Sequence, residues 1–314
     1  MQVYIKPGKS GNAIATIAIG REYLSSWEKY ALPTWEKYCV RHSLGLIVID
    51  EELLDKSDKY WKKATWQKML LAKSIKKNIK STENICYIDS DFLINYQAPN
   101  IFDFYDPQTI GLVSQFKDMP YTDFDVRRRI AYFRHYCYDS KYPLDSALFM
   151  PLEQIFGYHN LPAQNNFACA GLIVFNVHNH SDLMEGWFKK YDRNVESLTG
   201  GGDEVHFNYE VQNWGRITWL DYRFQALWTY EMAWKYPFLY QLGTSKDEIV
   251  AKCIEASLFT NYFLHFAGSW YESEMWKIEN IMTGDHLSVH FEPFSEYSKM
   301  KLTGNPVGIV KPSK

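Results

Sequence analysis

Two aspartates one residue apart interrupt an apolar run in the stretch Asn84-Ile85-Cys86-Tyr87-Ile88-Asp89-Ser90-Asp91-Phe92-Leu93-Ile94. Carboxylates are costly in a buried strand unless something pairs with them. In an extended backbone, residues two apart point to the same side, so Asp89 and Asp91 can converge on one cation. Hard divalent ions such as Mn2+ and Mg2+ prefer oxygen ligands, keep open positions and often share their shell with phosphate. The chemistry this pattern suggests is a diphosphate-bound metal at the end of a core strand. The plainer alternative is a strand end whose aspartates cap the following turn, and Asp-x-Asp alone does not decide between the two.

Further chemistry-bearing residues lie elsewhere in the chain. Ala64, Lys68, Ala72, Ile75 and Ile79 fall on one helical stripe, and Lys68 is its only charge. Either its stem packs while the ammonium snorkels to solvent, or it reaches the mouth of the site and meets an anionic or hydroxylated ligand. On both readings Lys68→Met should leave stability nearly unchanged. In the segment from Asn166 to Asn176, Ala170 and Gly171 allow close backbone contact with a ligand. Gly201-Gly202-Asp203-Glu204 puts two acids in the first turn of a helix, where capping is the plain reading. His265-Phe266-Ala267-Gly268-Ser269-Trp270 offers an imidazole, then a glycine whose backbone N–H could face a phosphate. A structural role for His265 is the alternative there.

The elements that must hold these residues follow from the hydrophobic pattern. Residues 13–19 read as a buried strand ended by Gly20, and residues 44–49 as a second. An aromatic-rich helical region lies between them, reset by Pro33. Residues 61–80 read as helical and 84–87 as the strand leading into the carboxylates. This is β-α-β-α-β, the pattern of a parallel sheet covered by helices. The carboxylates fall at a strand's carboxyl end, where open α/β sheets bind ligands. Strands at 110–114, 170–176 and 217–220 and helices at 181–191 and after Gly202 follow. The aromatic, charged stretch 116–142 reads as an acceptor or lid region. Residues 1–275 make one domain, and 276–314 read as a tail packing on it.

Composition limits the function classes. The net charge of −3 gives no electrostatic reason to expect nucleic acid. Arg127-Arg128-Arg129 and Lys76-Lys77 read as solvated surface. The five cysteines are odd in number, far apart and without metal-ligand spacing, which suits buried thiols in a reducing compartment. The first apolar run is too short to span a membrane and lacks a signal-peptide cleavage pattern, and no later run reaches membrane-spanning length. A soluble, cytoplasmic protein with no transmembrane segment is the expectation. An aromatic content of 17% suits a protein that meets sugar rings, which are apolar on their C–H faces.

Taken in order, these segments resemble GT-A glycosyltransferases, and within them glycosyltransferase family 8, the glycogenin and galactosyltransferase group. The family's Asp-x-Asp matches Asp89 and Asp91, and its Asn-Ala-Gly strand matches Cys169-Ala170-Gly171. Its Gly-Gly-Asp-Gln segment, ending in Leu-Asn, matches Gly201, Gly202, Asp203 and Glu204, ending in Phe207-Asn208. Its His-Phe-x-Gly loop matches His265, Phe266 and Gly268. The chain departs from the pattern at Cys169 and Glu204, and has Ser269-Trp270-Tyr271 where the family has Lys-Pro-Trp; Arg223 or Lys68 could supply the missing cation. The resemblance implies an α/β GT-A fold with a mixed, mostly parallel sheet flanked by helices. It implies a metal-dependent hexosyltransferase that uses a nucleotide-diphosphate sugar, most simply a UDP-sugar, and a glycan or small hydroxyl acceptor, with retention of configuration. Asp89, Asp91 and His265 would hold Mn2+ or Mg2+. Ala18, Tyr23, Lys68, Asp89, Ser90, Ala170, Gly171 and Gly268 would contact the donor, and Asp203 and Glu204 would be catalytic. The rival readings are an inverting relative with Asp203 or Glu204 as base, a catalytically silent carbohydrate-binding or scaffold protein, and a metal-dependent nucleotidyltransferase or phosphohydrolase.

Overall fold

Side-chain alternation along three buried strands divides the core into two layers. The structure is a computed structural model that describes residues 1–138, 150–241 and 247–281. Its strands are β1 Gln2–Ile5, β2 Asn12–Ile17, β3 Gly45–Ile49, β4 Asn84–Ile88, β5 Phe92–Ile94, β6 Ile110–Val113, β7 Leu172–Asn176, β8 Ile217–Leu220, β9 Ala226–Leu227 and β10 Phe263–His265. Ile14, Leu46, Val48, Cys86 and Ile88 face one layer, with Trp27, Trp35 and Tyr38. Ala13, Ala15, Ile47, Ile49, Ile85 and Tyr87 face the other, with Trp66, Leu71, Ile75 and Phe188. The period of two along a strand makes this division.

The main sheet has seven strands in the order β1-β3-β2-β4-β7-β6-β8. β3, β2, β4, β6 and β8 run in one direction, and β1 and β7 run against them. The expected mixed, mostly parallel sheet is present, flanked by helices Leu32–His42 on one face and Leu71–Asn78, Val177–Lys190 and Glu204–Trp214 on the other. A second sheet, β5-β10-β9, adjoins it. Three of the ten strands among the described residues, β5, β9 and β10, have only two or three residues, too few for a sequence period to mark them.

Two placements govern the site. β7 is antiparallel to β4, with Leu172 opposite Ile88, so the start of β7 lies at the edge where β4 ends. β10 is antiparallel to β5, with His265 opposite Phe92, so the end of β10 returns to the residue after Asp91.

Several expectations change in detail. The helical stretch 61–80 is broken into Ala64–Gln67, a tighter turn Lys68–Leu70 and Leu71–Asn78, yet Lys68, Ala72 and Ile75 keep a common buried stripe. Within 116–142, helix Asp123–Phe133 packs against helix Trp228–Lys235 and buries Val126 and Ile130; residues 139–142 lie outside the described residues. Arg127 is not solvated surface. It is buried, pairs with Asp123 at 2.5 Å and lies 4.1 Å over the Phe116 ring. Met275 and Trp276 belong to the core, and residues 282–314 of the expected tail lie outside the described residues. All five cysteines are free, and no helix among the described residues is long and apolar enough to cross a membrane.

Candidate metal and donor site

β4 ends at Ile88, and Asp89-Ser90-Asp91 turns the chain from the main sheet into β5. The two carboxylates therefore converge through a turn and not through the extended alternation that the spacing suggests. The turn is held by Asp89 N–H donating to Gly171 O at 2.9 Å and Phe266 N–H donating to Asp91 O at 3.1 Å. His265, at the end of β10, stacks on Phe92 with 4.1 Å between ring centroids. Its Nε2 lies 3.4 Å from Asp91 Oδ1 and 3.9 Å from Asp89 Oδ2. One ligand atom from each of Asp89, Asp91 and His265 falls within 4.8 Å of the others. Asp91 Oδ1 is buried without a hydrogen bond. Two carboxylates and an imidazole, with oxygen in the majority, suit Mn2+ or Mg2+, so the donor set fits the group the sequence implies.

Charge around these residues follows from burial and pairing. Burial works to raise the Asp91 carboxyl, but His265 beside it holds it below its ordinary range. Burial works against a charge on His265, while Cys169 and Asp91 push the imidazole well above its ordinary value. Burial also pushes the Cys169 thiol up, so Asp91 is the partner that counts.

Lys68 is not a snorkelling lysine. It is 3% exposed, donates to Ala170 O at 2.8 Å, and stands 3.5 Å from Asp203 Oδ1 and 3.8 Å from Asp89 Oδ1. Burial opposes its charge, but Asp203 and Asp89 more than compensate and raise its pKa. Removing the ammonium would leave two buried or half-buried carboxylates facing each other, so the expected neutrality of Lys68→Met does not hold. Arg223, the other candidate for the missing cation, pairs with Asp221 at 2.8 Å and lies over Tyr262.

Asp203 precedes helix Glu204–Trp214 but makes no side-chain capping bond. It turns instead to Lys68, and its Oδ2 is buried without a partner. Burial raises its carboxyl to about 6, with Lys68 opposing and Asp89 adding to the rise. Glu204 accepts from Ala170 N–H at 3.3 Å and from Gln115 Nε2 at 3.2 Å. Burial, then the neighbouring Asp203, raise it to about 7. Glu204 also lines a cavity of 520 Å³ whose walls include Phe116, Tyr158, Phe167 and Tyr230.

The other expected donor contacts are placed as follows. Ala170 is committed on both sides, its N–H to Glu204 and its carbonyl to Lys68, and β7 begins at Leu172, opposite the last residue of β4. Gly171 is required by His265: a Cβ there would collide with the imidazole Cε1 and stand 3.0 Å from Asp89 Oδ2. Ser90 sits partly exposed in the turn between the aspartates. Ala18 follows β2, beside β4 and parallel to it, so it shares the carboxyl edge, but it is buried and its N–H donates to Ile49 O at 2.8 Å. Tyr23 is 67% exposed on the short helix Arg21–Ser26, and no contact joins it to the carboxylates. Gly268 is exposed with φ +113° and open space around it, so its backbone angle requires glycine.

Three site residues were not anticipated. Tyr87 donates its hydroxyl to Asp89 Oδ1, and its position near the end of β4, two residues before Asp89, could have indicated this. Gln115 and Gln225 reach Glu204 and His265 from distant turns, and no local pattern marks them.

No protein-family model and no curated protein matches the chain. Among solved structures it is similar to a glycosyltransferase involved in the glycosylation of the major capsid of PBCV-1, with 12% sequence identity and a TM-score of 0.47, over 84% of this chain and 96% of that one. It is also similar to the WbbM bifunctional glycosyltransferase, with 13% identity and a TM-score of 0.45, over 84% of this chain and 47% of that one.

Proposed function

We propose that the chain is a metal-dependent glycosyltransferase that moves a hexose from a nucleotide-diphosphate sugar, a UDP-sugar in the simplest case, to a hydroxyl acceptor. The observation that carries this reading is the convergence of Asp89, Asp91 and His265 beside the buried Lys68–Asp203 pair, at the carboxyl edge of a mostly parallel sheet. A divalent cation there would supply positive charge to the diphosphate oxygens as the glycosidic bond breaks. Lys68 stands between Asp89 and Asp203 and holds the two carboxylates apart. Asp203, with its free Oδ2, orients sugar hydroxyls near the reacting carbon. The acceptor enters from the cavity beside Glu204, whose aromatic walls suit the C–H face of a sugar ring.

A retaining reaction follows if the family 8 resemblance extends to mechanism, since that route needs no strong base. A second reading has Glu204 as the base of an inverting transfer. It is favoured by a carboxyl raised to about 7 on the wall of the cavity. The anomeric configuration of the product, read by proton NMR, separates the two.

The primary test incubates the full chain with Mn2+ and a panel of UDP- and GDP-sugars and measures released nucleoside diphosphate. The expected result is release that stops in excess chelator and in Asp91→Ala. Absence of release from every donor would favour a silent carbohydrate-binding protein, and release that survives chelation would remove the metal from the reaction.

A further inference from the structure

Gln225 closes the turn Tyr222–Gln225 directly before β9, and β9 pairs with β10, so its side chain arrives behind His265. It is 2% exposed. Its Nε2 lies 3.2 Å from His265 Nδ1, and its Oε1 is buried without a hydrogen-bond partner. Phe92 covers one face of the imidazole, and Gly171 leaves no room for a larger residue near Cε1. The other group at Nδ1 is Cys169 Sγ at 3.6 Å, a weak hydrogen-bonding atom.

With its NH2 toward Nδ1, the amide suits an imidazole whose hydrogen sits on Nε2. That hydrogen points between Asp89 and Asp91, where a cation would have to bind. Half a rotation about the terminal bond of Gln225 brings the partnerless Oε1 to Nδ1. The carbonyl then accepts from Nδ1–H, and the Nε2 lone pair faces the two carboxylates. Nδ1–H then stays hydrogen-bonded to the Gln225 carbonyl, and the hydrogen on Nε2 leaves to solvent when a cation takes its place.

We propose that Gln225 is a positioning residue: by accepting from His265 Nδ1–H it presents the Nε2 lone pair to the cation held by Asp89 and Asp91. This rests on the reading of the three residues as a cation site. Outer partners of metal-bound histidines typically change metal affinity by about 10- to 100-fold when removed.

The test is the affinity of the full chain for Mn2+ alone, from the electron paramagnetic resonance signal of free Mn2+, in the parent, Gln225→Leu and Gln225→Glu. The leucine fills the space without an acceptor, and the glutamate can only accept while it is ionised. Leucine should weaken binding about tenfold or more, and glutamate should match or exceed the parent. Equal binding by all three, or equal weakening in both variants, would overturn the proposal. A parent that binds no Mn2+ at millimolar concentration would instead refute the cation site itself. If Gln225→Leu does not fold, as judged by its thermal melt, the glutamate variant decides, and weakened binding there overturns the proposal.

Discussion

Glu204→Gln should stabilise the protein at alkaline pH and leave it unchanged in acid. Burial and the adjacent Asp203 raise the Glu204 carboxyl from 4.5 to about 7. A carboxyl whose folded pKa lies above its unfolded value contributes stability that is fully present below the unfolded pKa, and that contribution is lost as pH rises through the folded pKa. The interval from 4.5 to about 7 corresponds to about 3 kcal/mol at the usual 1.4 kcal/mol per unit. Glutamine keeps a carbonyl oxygen for the Ala170 N–H and the Gln115 amide but carries no charge. The variant should therefore recover about 3 kcal/mol at about pH 8 and almost nothing at about pH 4.5. For a chain of this size that is a rise in Tm of about 5 °C. Calorimetric melts of parent and variant at both pH values, without added metal, provide the measurement. An equal rise at the two pH values would mean that glutamine merely packs better. No rise at alkaline pH would mean that the carboxylate is solvated or paired, and the argument for a proton-accepting Glu204 would fall with it.

Three further outcomes follow from the same geometry. Asp91→Asn should cut Mn2+-dependent nucleotide release by at least about 100-fold and lower the melt, because it removes the carboxylate 3.4 Å from the buried His265 Nε2; full activity in that variant would remove Asp91 from the ligand set. Lys68→Met should cost about 3 kcal/mol near pH 8 and less near pH 5, where Asp203 can protonate, in urea titrations at the two pH values; a pH-independent loss would point to packing in place of charge. Gly171→Ala should cost about 1–3 kcal/mol by overpacking and weaken Mn2+ binding at least about tenfold by displacing His265; unchanged Mn2+ affinity would show that the imidazole has room to move.

The elements with enough residues to show a period were legible in the sequence. The strands around Ala13, Leu46 and Ile85 and the helix after Gly202 lie where the apolar pattern puts them, because burial on both faces leaves near-continuous apolar runs. β5 and β10 were not legible: three residues each carry no period, and only their pairing with one another makes them strands. The residue types of the site were legible, since an aspartate pair and an isolated lysine are conspicuous in apolar surroundings. Their partners were not. That Asp203 turns to Lys68 and forgoes a helix cap depends on two segments that meet only in the folded chain. The same holds for Gln225, whose amide is ordinary until β9 sets it against His265.

The turn Asp89-Ser90-Asp91 is also the place where the backbone leaves one sheet and enters the other. Asp89 directly follows β4, Asp91 directly precedes β5 and His265 closes β10. An ion shared by all three would rivet the small sheet to the large one at this joint. Loading the ion would then slow amide hydrogen exchange in β5 and β10 more than in β2 or β3. The cleft would thus become mechanically stiffer when it is charged for work.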